Sequence, residues 1–290
     1  MHGTVDGFSY GIVTLLVAYL MACLGGALGL RCTTRALLVA QSWRPGWLAL
    51  GSAAIGSGIW TMHFIAMIGF TIDGAPIHYD KPTTYASLGV AIVMVGIGIF
   101  IVGYKGATGT ALFTGGTITG LGIASMHYLG MAGMRFNGNL EYNTLTVAVS
   151  VVIAMAAATA ALWVTGQARG FLWSVGASLV MGLAVAGMHY TGMAAVSVHL
   201  HATGEPSQGD SPAGLLAPLL IGPLAFLCLA GVVVLFDPLM AMGKPDRTPV
   251  EHKPGIPAHP HTPGTHPSRR DRLRTRRKVA HHEPRTPQNR

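Results

Sequence analysis

Three short stretches hold the residue types that could do chemistry: Met62-His63-Phe64-Ile65-Ala66-Met67, Met126-His127-Tyr128-Leu129-Gly130-Met131 and Met188-His189-Tyr190-Thr191-Gly192-Met193. Their shared form is Met-His-aromatic-x-small-Met. Imidazole nitrogen with thioether sulfur is a ligand set for a soft or borderline ion, since thioether selects Cu(I) and imidazole serves both copper states. Zinc takes His but rarely Met. Magnesium and calcium want oxygen ligands, which these stretches lack. Copper is therefore the best match, with His63, Met67, His127, Met131, His189 and Met193 as ligands. On a helix each residue advances about 100°, so the Met four places after each His shares its face. The Met before each His (Met62, Met126, Met188) points about 100° away and is a secondary candidate.

The histidines stand 64 and 62 residues apart, the mark of an internal repeat. A glycine precedes each His by seven places (Gly56, Gly120, Gly182), and a small residue follows it by three (Ala66, Gly130, Gly192). Small residues let membrane helices approach closely, so the His face is expected to point inward. A lone Met-His pair in a membrane helix ordinarily serves packing, with the His hydrogen-bonded to a neighbour. Three copies in one register favour a shared site over that reading.

Seven apolar runs must position these motifs: residues 10–30, 48–70, 84–104, 112–134, 144–165, 171–197 and 215–236. Each exceeds the roughly 20 residues that span a bilayer as a helix, and none contains Asp, Glu, Lys or Arg. Half of all residues are hydrophobic and 10% are charged, against about a quarter charged in soluble domains. The expected fold is an all-α membrane protein of seven transmembrane helices. Residues 1–236 form the membrane domain, as three parallel two-helix repeats (about 10–70, 84–134 and 144–197) plus an extra helix, 215–236. Pro218 and Pro223 are expected to kink that last helix. Each pair ends on a Met-His helix, so the three motif helices run the same way and their imidazoles share one depth, roughly 10–12 Å below the outer surface.

Basic residues set the orientation. Arg31, Arg35 and Arg44, then Lys105, then Arg169 fall between the members of each pair, against Lys81 and Arg135 on the other side. The N-terminus is expected outside and the C-terminus in the cytoplasm. The first run lacks a basic lead, so it is expected to remain in the mature chain. Residues 237–290 carry twelve Lys and Arg against five Asp and Glu. The net charge of +8 thus belongs mainly to this segment and gives no reason to expect nucleic-acid binding. Ten of the seventeen prolines lie there too, and such composition cannot pack a core. A disordered cytoplasmic tail is expected, whose basic run 269–278 would be drawn to anionic lipid headgroups.

Cys32 sits near the cytoplasmic edge, where thiols stay reduced. Cys23 and Cys228 lie about 20 Å deep, below the histidine level, and are excluded from the site. His78, His199 and His201 fall in outer loops. They read as polar loop residues, or as a secondary metal relay toward the buried site.

At the Met-His motifs the chain resembles the MHYT-domain family of bacterial integral-membrane sensors, over about residues 10–236. The resemblance rests on Met126-His127-Tyr128 and Met188-His189-Tyr190-Thr191, with Met62-His63-Phe64 as the first copy. It implies three helix pairs plus a seventh helix in the bacterial plasma membrane. It also implies a proposed copper site facing the outer leaflet that senses oxygen, carbon monoxide or nitric oxide. Many relatives carry a cytoplasmic diguanylate cyclase, phosphodiesterase or kinase domain. The 54 residues after the last run are too few for one, so no enzyme activity is expected here, and the signal would pass to a separate cytoplasmic output protein. The leading expectation is a copper-containing sensor of a diatomic gas or redox state. Copper uptake or handling is the alternative. A haem-binding redox protein fits three equivalent histidines less well.

Overall fold

The computed structural model describes residues 11–72, 77–167, 171–200 and 212–237, all within one compact unit, Met1–Lys244. His201 and the basic run 269–278 lie outside the described residues, as does the rest of the expected tail after Asp237. Seven helices account for most of the described chain: α1 (Ile12–Leu38), α2 (Arg44–Ile68), α3 (Lys81–Lys105), α4 (Gly109–Ala132), α5 (Thr144–Thr165), α6 (Phe171–Ala194) and α7 (Pro212–Leu235). All but α4 are long and apolar enough to cross a membrane. Helix α4, the remaining expected crossing, is 24 residues long but rich in Gly and Thr, which lowers its hydropathy. It nonetheless packs between α3 and α5.

The apolar runs end where capping and charge say they should. Asp80 caps α3 by accepting from the Thr83 N–H at 2.9 Å, and Asn143 caps α5 by accepting from the Thr146 N–H at 3.0 Å. The two caps are the same device, one repeat apart, and each satisfies a donor that a helix start leaves open. The Thr83 hydroxyl and N–H, with Arg135 nearby, hold the Asp80 carboxyl below the usual carboxylate range. Helix α1 runs eight residues past the expected span, so Arg31 and Arg35 are helical rather than in a loop, and Arg44 opens α2. Long basic side chains can lie along a helix end and carry their charge to the interface.

The segments between pairs, expected as loops, contain four short strands: β1 (His78–Tyr79), β2 (Met134–Arg135), β3 (Gly138–Tyr142) and β4 (Val196–Leu200). β1 pairs antiparallel with β2, and β3 with β4. The Asp80 N–H donates to Gly133 O at 2.9 Å and the Asn143 N–H to Ala195 O at 2.8 Å. The ends of motif helices α4 and α6 are thereby tied to the starts of α3 and α5, the first helices of their own pairs.

The helices pack in sequence order, α1 on α2 through to α6, and α6 closes on α1. Helices α2, α4 and α6 also touch one another inside this ring. Helix α7 lies outside it, against α2 and α1, with Pro218 and Pro223 inside one continuous helix. That cover explains why 83% of the apolar window of α2 is buried against 22% for α5.

Close packing rests on glycine. A Cβ on Gly58 would lie 2.6 Å from Gly25 Cα, and a Cβ on Gly98 2.7 Å from Gly115 O. In lipid the drive for such contacts is van der Waals packing rather than expulsion of water. The glycines seven before each His do not face the bundle axis as expected. Gly56 abuts Ile92 of α3, Gly120 abuts Met155 of α5, and Gly182 abuts Cys23 of α1. They seat each motif helix on the first helix of the next pair around the ring.

At the end opposite the strands, the Arg35 guanidinium pairs with Asp237 at 2.6 Å and sits 5.5 Å from the Trp47 ring centre. Arg44 donates to Gly103 O and lies over Tyr104. Charge at this end is thus spent on joining α1, α2, α3 and the chain just after α7.

Candidate metal centre

The three motif histidines meet. His63 Nδ1 lies 3.0 Å from His189 Nδ1 and 3.2 Å from His127 Nδ1, and the third side of the triangle is 3.3 Å. The rings stand nearly perpendicular to one another, at 77° to 90°, with centres 4.9–5.1 Å apart. All three side chains are at most 1% exposed.

Hydrogen bonding alone cannot satisfy such a triangle. A bond between two imidazole nitrogens needs one N–H and one lone pair. Three nitrogens with two possible states always leave one pair alike. A cation that accepts three lone pairs removes the conflict. The centre of the triangle lies about 1.8 Å from each nitrogen, close to the roughly 2.0 Å of a metal–imidazole bond. His63, His127 and His189 are the one His/Cys/Asp/Glu group among the described residues able to hold a metal ion. The donor set fits.

The outward nitrogens explain the glycines three places after His127 and His189. A Cβ on Gly130 would come 2.7 Å from His63 Nε2, and one on Gly192 2.5 Å from His127 Nε2. Each glycine makes room for the imidazole of a neighbouring helix. The Nε2 atoms are buried with no hydrogen-bond partner, so their setting fixes the rings by shape rather than by polar contact.

The aromatic residue after each His also has a structural part that the motif did not reveal. Phe64, Tyr128 and Tyr190 each stand edge-on to their own imidazole, with ring centres 4.6, 4.8 and 5.0 Å away. Tyr128 is itself held by a 2.7 Å hydrogen bond to Ser150 on α5. On the Phe64 side, the buried Trp60 indole donates to Ser87 at 3.0 Å, which fixes the wall behind that ring.

The methionines Met62, Met67, Met126, Met131, Met188 and Met193 are all buried in the same core. His78 is exposed on β1, with Arg135 opposite it. His199 on β4 pairs with Glu141 at 3.1 Å. Neither joins the histidine triangle. Cys23 lies against Gly182, two helical turns before His189, while Cys228 is exposed.

A family profile described as "MHYT: Bacterial signalling protein N terminal repeat" matches three times, at residues 56–115, 120–177 and 182–238. Each match begins on the glycine seven places before a motif histidine. The chain is 34% identical over 235 residues to the bifunctional diguanylate cyclase/cyclic di-GMP phosphodiesterase MucR of Pseudomonas aeruginosa, covering 79% of this chain and 34% of the relative. It is 34% identical over 223 residues to the cyclic di-GMP phosphodiesterase NbdA of the same organism, covering 73% and 28%. It is 29% identical over 198 residues to the signalling protein YkoW of Bacillus subtilis, covering 66% and 24%. The chain thus spans about a third or less of the curated relatives it matches. No solved structure matches it.

Proposed function

The chain belongs to the MHYT family of bacterial signalling proteins, and from that premise we propose that it is a multi-pass membrane sensor with a copper ion as its input centre. His63, His127 and His189 hold the ion, and Met67, Met131 and Met193 are the thioether ligands, with Met62, Met126 and Met188 in reserve. The nitrogen triangle with sides of 3.0–3.3 Å carries this reading. A copper ion in such a set supplies a one-electron couple and a position for a diatomic ligand such as O2, CO or NO.

The chain's own residues do the rest. Each imidazole comes from a different helix, so any change in the size of the triangle acts on α2, α4 and α6 together. Gly130 and Gly192 hold the imidazoles in place by shape, which leaves few ways to absorb that change locally. The bundle therefore carries it toward the end opposite the strands. We take that end as cytoplasmic and the strands as extracellular. Output passes there, in keeping with the cyclic di-GMP enzymes named among the relatives. The basic run 269–278 is assigned to anionic headgroups of the same leaflet.

Elemental analysis and a visible spectrum of the purified, copper-exposed protein test the reading. About one copper per chain and no Soret band are expected. In His127→Ala the copper content should drop to near zero while the protein still inserts. Normal copper content in that variant, or a Soret band in the parent, contradicts the proposal.

A further inference from the structure

The third helix pair differs from the first two where the partners come closest. Twelve places before the histidines stand Gly51, Gly115 and Ala177; five places before stand Gly58, Gly122 and Ala184. Counted from the caps of α3 and α5, Met94 and Gly98 correspond to Ala157 and Ala161. In the first two pairs the glycines bring backbones into contact, Gly58 on Gly25 and Gly98 on Gly115. The third pair has alanine at all four places. There a cleft of about 440 Å³ opens between α5 and α6, and Ala157, Ala161, Ala177 and Ala184 all line it.

Leu30, Ala157, Ala161 and Met181 also line a second, smaller cavity of about 30 Å³. Its walls include the residues four places before each histidine, Ile59, Ile123 and Val185, and those eight places before, Ile55, Thr119 and Met181. The chamber therefore lies on the axis of the bundle, roughly 6–12 Å from the histidine triangle. Two hydroxyls reach its lining. Thr165 donates its own to Leu162 O at 2.6 Å, and Thr119 Oγ1 has no partner. A buried water needs two to four polar partners, so the chamber stays dry.

We infer that the cleft and the chamber form an apolar route from the bilayer to a holding site for one small apolar molecule, of diatomic-gas size, beneath the histidine triangle. Apolar solutes concentrate in hydrocarbon, and the cleft meets that supply directly. The three-residue layer of Ile59, Ile123 and Val185 separates the held molecule from the imidazoles. The link from chamber to metal rests on the function proposed above; the route itself does not.

Xenon is the probe, applied to the full chain in lipid nanodiscs and read by the ¹²⁹Xe chemical shift. A Cβ at Gly176 on the cleft wall meets nothing within 4 Å, so Gly176→Trp has room at its root to project an indole into the cleft. Ala160→Trp plugs it from α5 if that variant fails to fold. A saturable xenon shift is expected in the parent and its loss in the variant. CO binding to the reduced, copper-loaded variant should be slower by about tenfold or more, with copper content unchanged. No saturable shift in the parent, or xenon and CO behaviour alike in parent and variant, overturns the route. A protein that binds no copper yet loses its xenon site in Gly176→Trp keeps the route and rejects the metal.

Discussion

At the residue scale, three identical nitrogens face one another inside a membrane protein, and among the described residues no other hydrogen-bond partner resolves them. Ionisable residues in such a place are costly and tied to function. The outward nitrogens are held by shape, and this gives a sharp prediction. In Gly192→Ala the new methyl would sit 2.5 Å from His127 Nε2 and press that buried imidazole toward the other two histidines. Copper affinity should fall about tenfold, as when a support of a metal ligand is lost, while far-ultraviolet circular dichroism is unchanged. Equal affinity in parent and variant, by competitive chelator titration, would show that the glycine does not position His127.

At the element scale, the repeat period and the polarity of the helix pairs make the convergence of three imidazoles legible in the sequence. The strands were not. β1 and β2 are two residues each, too short for alternation to stand out. Val196–Leu200 continues the apolar run of α6, so its break into a strand was hidden. The glycines seven before each His face the first helix of the next pair rather than the bundle axis, because an angle on one helix does not say which helix stands opposite. The close backbone contact of Gly58 with Gly25 tests the packing account. Helix propensity favours alanine over glycine by about 1 kcal/mol. The contact predicts the reverse for Gly58→Ala, a loss of roughly 1–3 kcal/mol from overpacking. Gly89→Ala in α3, where a Cβ meets nothing within 4 Å, should be neutral or slightly stabilising. Denaturant unfolding in detergent separates the two, and a stabilised Gly58→Ala would count against glycine-driven packing.

At the scale of the whole molecule, one end holds the strands and the other is joined by the Arg35–Asp237 pair and by Arg44 on Gly103 O. The Arg35–Asp237 pair joins α1 to the chain that leaves α7, with side chains 12% and 5% exposed. It was invisible in the sequence because its partners are 202 residues apart. Removing one partner strands a buried charge, so Asp237→Ala should cost roughly 3 kcal/mol and lower the thermal midpoint without changing copper content. Unchanged stability would mean that the pair does not anchor the end of α7.

All of this turns on whether the three imidazoles share one metal ion. X-ray absorption at the copper edge of the loaded protein reads that directly. The account predicts a first shell with three imidazole nitrogens at about 2.0 Å, their characteristic outer-shell scattering reduced when His63, His127 or His189 is replaced. Copper bound without imidazole, or a spectrum indifferent to those three substitutions, would contradict it.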